Sequence, residues 1–136
     1  MNISDFVSLI THSRKRTGLV YLSEKHILDE LLAHELEIID LSTTYNENVI
    51  LSENELYNLI NETTLNKAVV LLNLEMFLSI RYQEPKYLSF LVSKLCQLEP
   101  LKPVFFGFYS KILYEKFKSQ YLLSNATDSH FYEDYF

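Results

Sequence analysis

The sequence predicts an α/β domain, a small and mostly parallel sheet of about four strands with helices on both faces. Three observations carry that expectation. Short apolar runs alternate with segments of helical periodicity, the order of βαβ units. The run AVVLL (residues 68–72) is apolar without a break, as in a strand buried on both faces of a parallel sheet. The chain has only 2 glycines and 3 prolines, too few for the turns of a loop-rich all-β fold.

Residues 3–13 read as a helix, with Ile3, Phe6, Val7, Leu9 and Ile10 at helical spacing, broken by Thr17-Gly18. Residues 19–22 (LVYL) form a short apolar strand, and Ser23 stands where an N-cap would. Ile27, Leu28, Leu31 and Leu32 then define one face of a helix. LEIIDL (36–41) is the second strand, and 42–48 (STTYNEN) is polar and loop-like. Ser52 and Glu55 have capping-box spacing ahead of a helix carrying Leu56, Leu59 and Ile60. After a loop at 63–66 comes the strand at 68–72. Pro85 suits the first turn of the next helix, which has a wide apolar face and is stopped by Pro100 and Pro103. VFFGF (104–108) is a fourth strand. Residues 110–121 follow as a helix with Ile112, Leu113 and Phe117 directed inward.

These elements make one domain over residues 1–121, followed by a tail at 122–136. At 136 residues and 48% apolar, the chain can bury a core without disulfides or metals. Cys96 is the sole cysteine, so no intrachain disulfide forms, and its apolar neighbours suggest a buried structural thiol. No apolar run approaches the ~18 residues of a membrane span, and the N-terminus has no signal-peptide pattern. A cytoplasmic setting without membrane contact is the expectation. The net charge of −6 disfavours a large nucleic-acid footprint. Arg14, Lys15 and Arg16 form the one dense basic run, read as a solvated helix end or as a local nucleic-acid contact.

An open α/β sheet binds ligands at the carboxyl ends of its strands, here residues 23–26, 42–45, 73–75 and 109–111. A phosphate loop at the first would need glycines so that backbone N–H groups can wrap the phosphates. Ser23-Glu24-Lys25-His26 has none and adds a carboxylate. At the third, an apolar strand runs into Asn73 and Glu75, the shape of a strand whose acid orients magnesium or water. A polar strand end capping the next loop is the simpler account. The histidines (12, 26, 34 and 130) have no metal-ligand spacing, and no G-x-S-x-G elbow is present. No catalytic residue, cofactor or metal site is expected. The tail ends in Phe131, Tyr132, Glu133, Asp134, Tyr135 and Phe136, where acids and aromatics alternate. Such a segment suits a basic, apolar pocket on a partner, unless it folds back on its own core.

Three pieces of the chain resemble the small P-loop subunit of bacteriophage-exclusion (BREX) defence systems: VVLLNLEMF (69–77), the helix led by Pro85, and VFFGF (104–108). The resemblance covers less than a third of the chain and lacks the family's phosphate loop. It implies a degenerate NTPase-like strand order, with Asn73 and Glu75 as remnants, and an assembly or regulatory role beside defence enzymes. The expectation is therefore a non-catalytic interaction or regulatory subunit of a bacterial cytosolic complex with a larger protein partner, compatible with homo-oligomers. The alternatives are a nucleotide- or metal-dependent enzyme using Glu75, and a nucleic-acid accessory protein using Arg14, Lys15 and Arg16.

Overall fold

The computed structural model describes residues 2–44, 53–74, 85–124 and 131–132. Helix α1 (Ile3–Thr11) leads into β1 (Thr17–Tyr21), followed by α2 (Lys25–Leu32), β2 (Glu37–Asp40), α3 (Leu41–Thr44) and α4 (Glu53–Thr63). Then come β3 (Val69–Leu72), α5 (Pro85–Gln97), β4 (Val104–Phe108), α6 (Lys111–Ser124) and β5 (Phe131–Tyr132). All strand pairs are parallel, in the order β2-β3-β4-β1-β5.

That order follows from crossover handedness. The connection from β1 runs through α2 to β2, at the far edge of the sheet. The connections from β2 to β3, β3 to β4 and β4 to β5 run the other way across it. Right-handed crossovers in opposite directions put their helices on opposite faces. Accordingly α1 and α2 cover one face, packing Phe6, Ile10, Ile27 and Leu31 on Val20, Val70 and Phe105. Helices α4, α5 and α6 cover the other, packing Leu56, Leu91, Leu95 and Phe117 on Leu19, Leu71, Phe106 and Phe108.

Strands β3 and β4 are buried at every residue, which is why their sequences are unbroken apolar runs. Phe108 and Phe117 approach to 5.1 Å between ring centres, and Phe106 and Phe117 to 5.9 Å. Full burial of each such ring contributes about 1.5–3 kcal/mol.

Several local expectations change. The sheet has five strands, because the tail returns to it. Helix α6 runs to Ser124, past the expected boundary at 121, and Phe131 and Tyr132 pair with Leu19 and Val20 at the open edge of β1. Ile112 is not inward but 72% exposed. The inward stripe of α6 is Tyr114, Phe117 and Tyr121, spaced i, i+3, i+7, and Ile112 lies outside its arc. Thr17 and Gly18 lie within β1 rather than in a break before it, and the residue at the N-cap of α2 is Glu24, one after Ser23. The polar segment after β2 begins as the short helix α3 instead of a loop. Ser52 of the expected capping box lies outside the described residues. Among the described residues no helix is long and apolar enough to cross a membrane.

Candidate functional site

Neighbouring strands β1 and β4 send their chains away in opposite directions, to α2 on one face and α6 on the other. In an open parallel sheet this switch point leaves a crevice above the carboxyl ends. The floor is closed by Leu22, whose N–H donates to the Phe108 carbonyl at 2.7 Å. On one side α2 begins, with Glu24 extended at its N-cap and making no side-chain cap bond. The Glu24 carboxylate instead pairs with His26, Oε2 to Nδ1, at 3.0 Å. A carboxylate is therefore held beside the first turn of α2, where it disfavours a second anion. On the other side Ser110 caps α6: its Oγ accepts from the Leu113 N–H at 3.3 Å, and its carbonyl from the Tyr114 N–H at 2.9 Å.

The ends of β2 and β3 meet in a second polar group. Register sets Asp40 opposite Leu72, so Asn73 comes next to it. The Asn73 amide donates to Asp40 Oδ1 at 2.7 Å. The same oxygen accepts from the Ser42 N–H at 2.9 Å and the Ser42 hydroxyl at 2.6 Å. Asp40 thus caps α3 and ties two strand ends together. Burial raises the Asp40 pKa, but the bonds from the Ser42 hydroxyl, the Asn73 amide and the Ser42 N–H outweigh it and hold the carboxyl below its ordinary 3.8. It is an ionised acceptor at neutral pH, the opposite of the raised pKa a general acid needs. Asn73 itself has φ 63°, a left-handed conformation that asparagine tolerates better than most residues.

Asn73, expected as a remnant of a nucleotide site, stands at the end of β3 with its amide bonded to Asp40. Glu75 lies outside the described residues. Of the tail, Phe131 and Tyr132 are half-buried on opposite faces of the sheet: Phe131 packs edge-on to Tyr121 at 5.7 Å, and Tyr132 lies 5.7 Å from Phe6. Glu133, Asp134, Tyr135 and Phe136 lie outside the described residues. Arg14, Lys15 and Arg16 follow the end of α1 in the turn before β1. There Arg16 donates from Nη1 to the Pro100 carbonyl at 3.0 Å, so it braces the neighbouring connection. His12 bonds the Ser8 carbonyl at 2.8 Å and His34 the Ser4 hydroxyl at 3.3 Å. Cys96 belongs to α5, and its expected burial falls outside the described side chains. Among the described residues no three His, Cys, Asp or Glu side chains gather as metal ligands would.

At the opposite end of the sheet, beside the amino ends of β2, β3 and β4, lies an open hollow of about 640 Å³. His34, Glu35, Glu37, Lys67 and Lys102 line it, so both signs of charge are interspersed. Asp40 was the residue that sequence reasoning passed over. Its signal was present: an Asp at a strand end readily accepts from the backbone N–H two residues on and so caps a following turn or helix.

Comparison with protein-family models, with curated proteins and with solved structures finds no match. The class that the fold defines is a small all-parallel, doubly covered α/β domain.

Proposed function

We propose that this chain is a non-catalytic interaction or regulatory subunit of a bacterial cytosolic complex, held there by a larger protein. Anti-phage defence is the setting that its sequence resemblance suggests. The observation that carries the reading is on α6. Ile112 and Leu123 are 72% and 80% exposed, and eleven residues, three helical turns, put them on one face. Large apolar side chains presented outward along one stripe suit a protein partner. The described strand ends support the same reading from the other side, since Asp40, Asn73 and Ser110 act there as caps and ties. With Phe131 and Tyr132 packed on the sheet, a role for the tail in partner binding falls to Glu133–Phe136.

The test is affinity purification of the tagged chain from its native host. A larger protein should be retained in fixed ratio. The double variant Ile112→Ser/Leu123→Ser should lose it while keeping the wild-type circular dichroism. Elution of the chain alone would overturn the reading. A thermal shift with ATP and magnesium, abolished by Glu75→Gln, would favour an enzyme instead.

A further inference from the structure

Charge is strongly segregated in this molecule. Helices α5 and α6 carry Lys86, Lys94, Lys111, Lys116 and Lys118 against a single carboxylate, Glu115. Their local balance is +4, whereas the other described residues hold eleven carboxylates against six cations, a balance of −5. Helix α4, which covers the same face of the sheet, has Glu53, Glu55 and Glu62 and no cation.

The two basic helices pack side by side, and their outward stripes mix cations with apolar groups. On α5 the exposed positions 86, 90, 94 and 97 recur at helical spacing, with Phe90 58% exposed between Lys86 and Lys94. On α6 the corresponding stripe is Ile112, Lys116, Ser119 and Leu123. Each stripe presents large apolar side chains within one or two helical turns of a lysine, and neither contains a carboxylate.

We infer that the outward face of α5 and α6 is a docking surface for an acidic protein, with Phe90, Ile112 and Leu123 as apolar anchors and Lys94 and Lys116 as the charges that set register. The inference rests on the proposed role as an interaction subunit and gives that role a surface and a partner chemistry. Charge complementarity selects the occupant. An acidic partner is drawn to this face and repelled by the net negative charge of the other described residues, which fixes orientation as well as attraction. A nucleic-acid backbone would satisfy the lysines but leave three apolar side chains facing phosphate. An anionic membrane would meet the −5 of the other described residues.

The experiment uses the complex recovered from the host. Lys94→Glu/Lys116→Glu should weaken the complex at least tenfold at 0.15 M salt, and Phe90→Ala should accelerate its dissociation. Raising salt to 0.5 M should weaken the wild-type complex and leave the charge-reversed one little changed. Lys67→Glu, at the amino end of the sheet, should have no effect. Failure to recover any partner would sink the parent reading. A partner indifferent to salt and to both lysine reversals would overturn this inference alone. Loss of the complex on nuclease treatment, or binding of the free chain to phosphatidylserine vesicles, would also overturn it in favour of those surfaces.

Discussion

The hydroxyls of Thr17 and Tyr121 meet at 2.5 Å, both wholly buried, and join the first residue of β1 to the inward stripe of α6. The Tyr121 hydroxyl lies 3.4 Å from the Thr17 carbonyl as well. Removing one partner strands a buried polar group, which costs about 1–3 kcal/mol. Tyr121→Phe should therefore lower stability by that amount, read as a fall in the urea midpoint. Thr17→Val/Tyr121→Phe should cost less than the two single changes together, because nothing is then stranded. Additive losses would show that the pair contributes nothing as a pair.

Asp40 and Asn73 give a prediction with a sign in pH. The folded-state pKa of Asp40 lies below its ordinary 3.8. Its contribution is then fully present above the unfolded value and fades as pH falls through the folded one. Asp40→Asn keeps an oxygen at the N-cap and removes only its charge, so it should cost about 0.3–1 kcal/mol at pH 7. The gap between variant and wild type should close as the pH drops below 3.8. At position 73, Gly should be tolerated better than Ala. Both lose the bond to Asp40, but only Ala must adopt φ 63° with a Cβ, at a cost of roughly 1–2 kcal/mol. Equal losses would mean that the backbone conformation at 73 carries no penalty.

Tyr57 predicts a change in the opposite direction. Its hydroxyl is buried and makes no well-formed hydrogen bond among the described residues, the Glu53 carboxylate being the acceptor that acts on it. Burial first, then the charge of Glu53 and a weak hydrogen bond to its carboxylate, push its phenol well above the ordinary 10.0. A buried hydroxyl without a well-formed bond is costly, so Tyr57→Phe should be neutral or stabilising by up to about 1 kcal/mol. Lys94, whose Nζ lies 5.8 Å from the ring centre, keeps an aromatic face in the variant. A loss of about 1 kcal/mol or more would show that the bond to Glu53 is well formed.

The parts of the fold legible in the sequence are those decided by local pattern. Strands β3 and β4 are buried at every position, so composition alone marks them. Helix α5 opens on Pro85, where a missing N–H does no harm. What was illegible depends on the tertiary fold. Segment 111–124 offers two apolar stripes, one with Ile112 and Leu123 and one with Tyr114, Phe117 and Tyr121. The aromatic surface of β4 selects the second, and no local rule favours it. The clasp at the strand ends joins residues 33 apart in sequence, and only the parallel register of β2 and β3 brings them together. Strand β5 has two residues, too few to show a period.

Gly18 shows how a single missing Cβ positions a helix. It lies in β1, where glycine gives no side chain to pack and loses more entropy than other residues on folding. A Cβ there would stand 2.8 Å from Ile10 Cδ1 and 2.9 Å from Phe6 Cζ, both in buried side chains of α1. The helix thus rests directly on the strand backbone. Gly18→Ala should overpack this contact and cost about 1–3 kcal/mol. Ile10→Val removes the nearer obstructing atom and by itself should cost about 0.5–1.5 kcal/mol. Combined, the two should be less destabilising than their sum, since the new methyl occupies space that Ile10 Cδ1 has vacated. Phe6 Cζ still crowds the site, so the rescue should be partial. Strictly additive values would show instead that α1 lifts away from the sheet without resistance, and that glycine is not what fixes its distance.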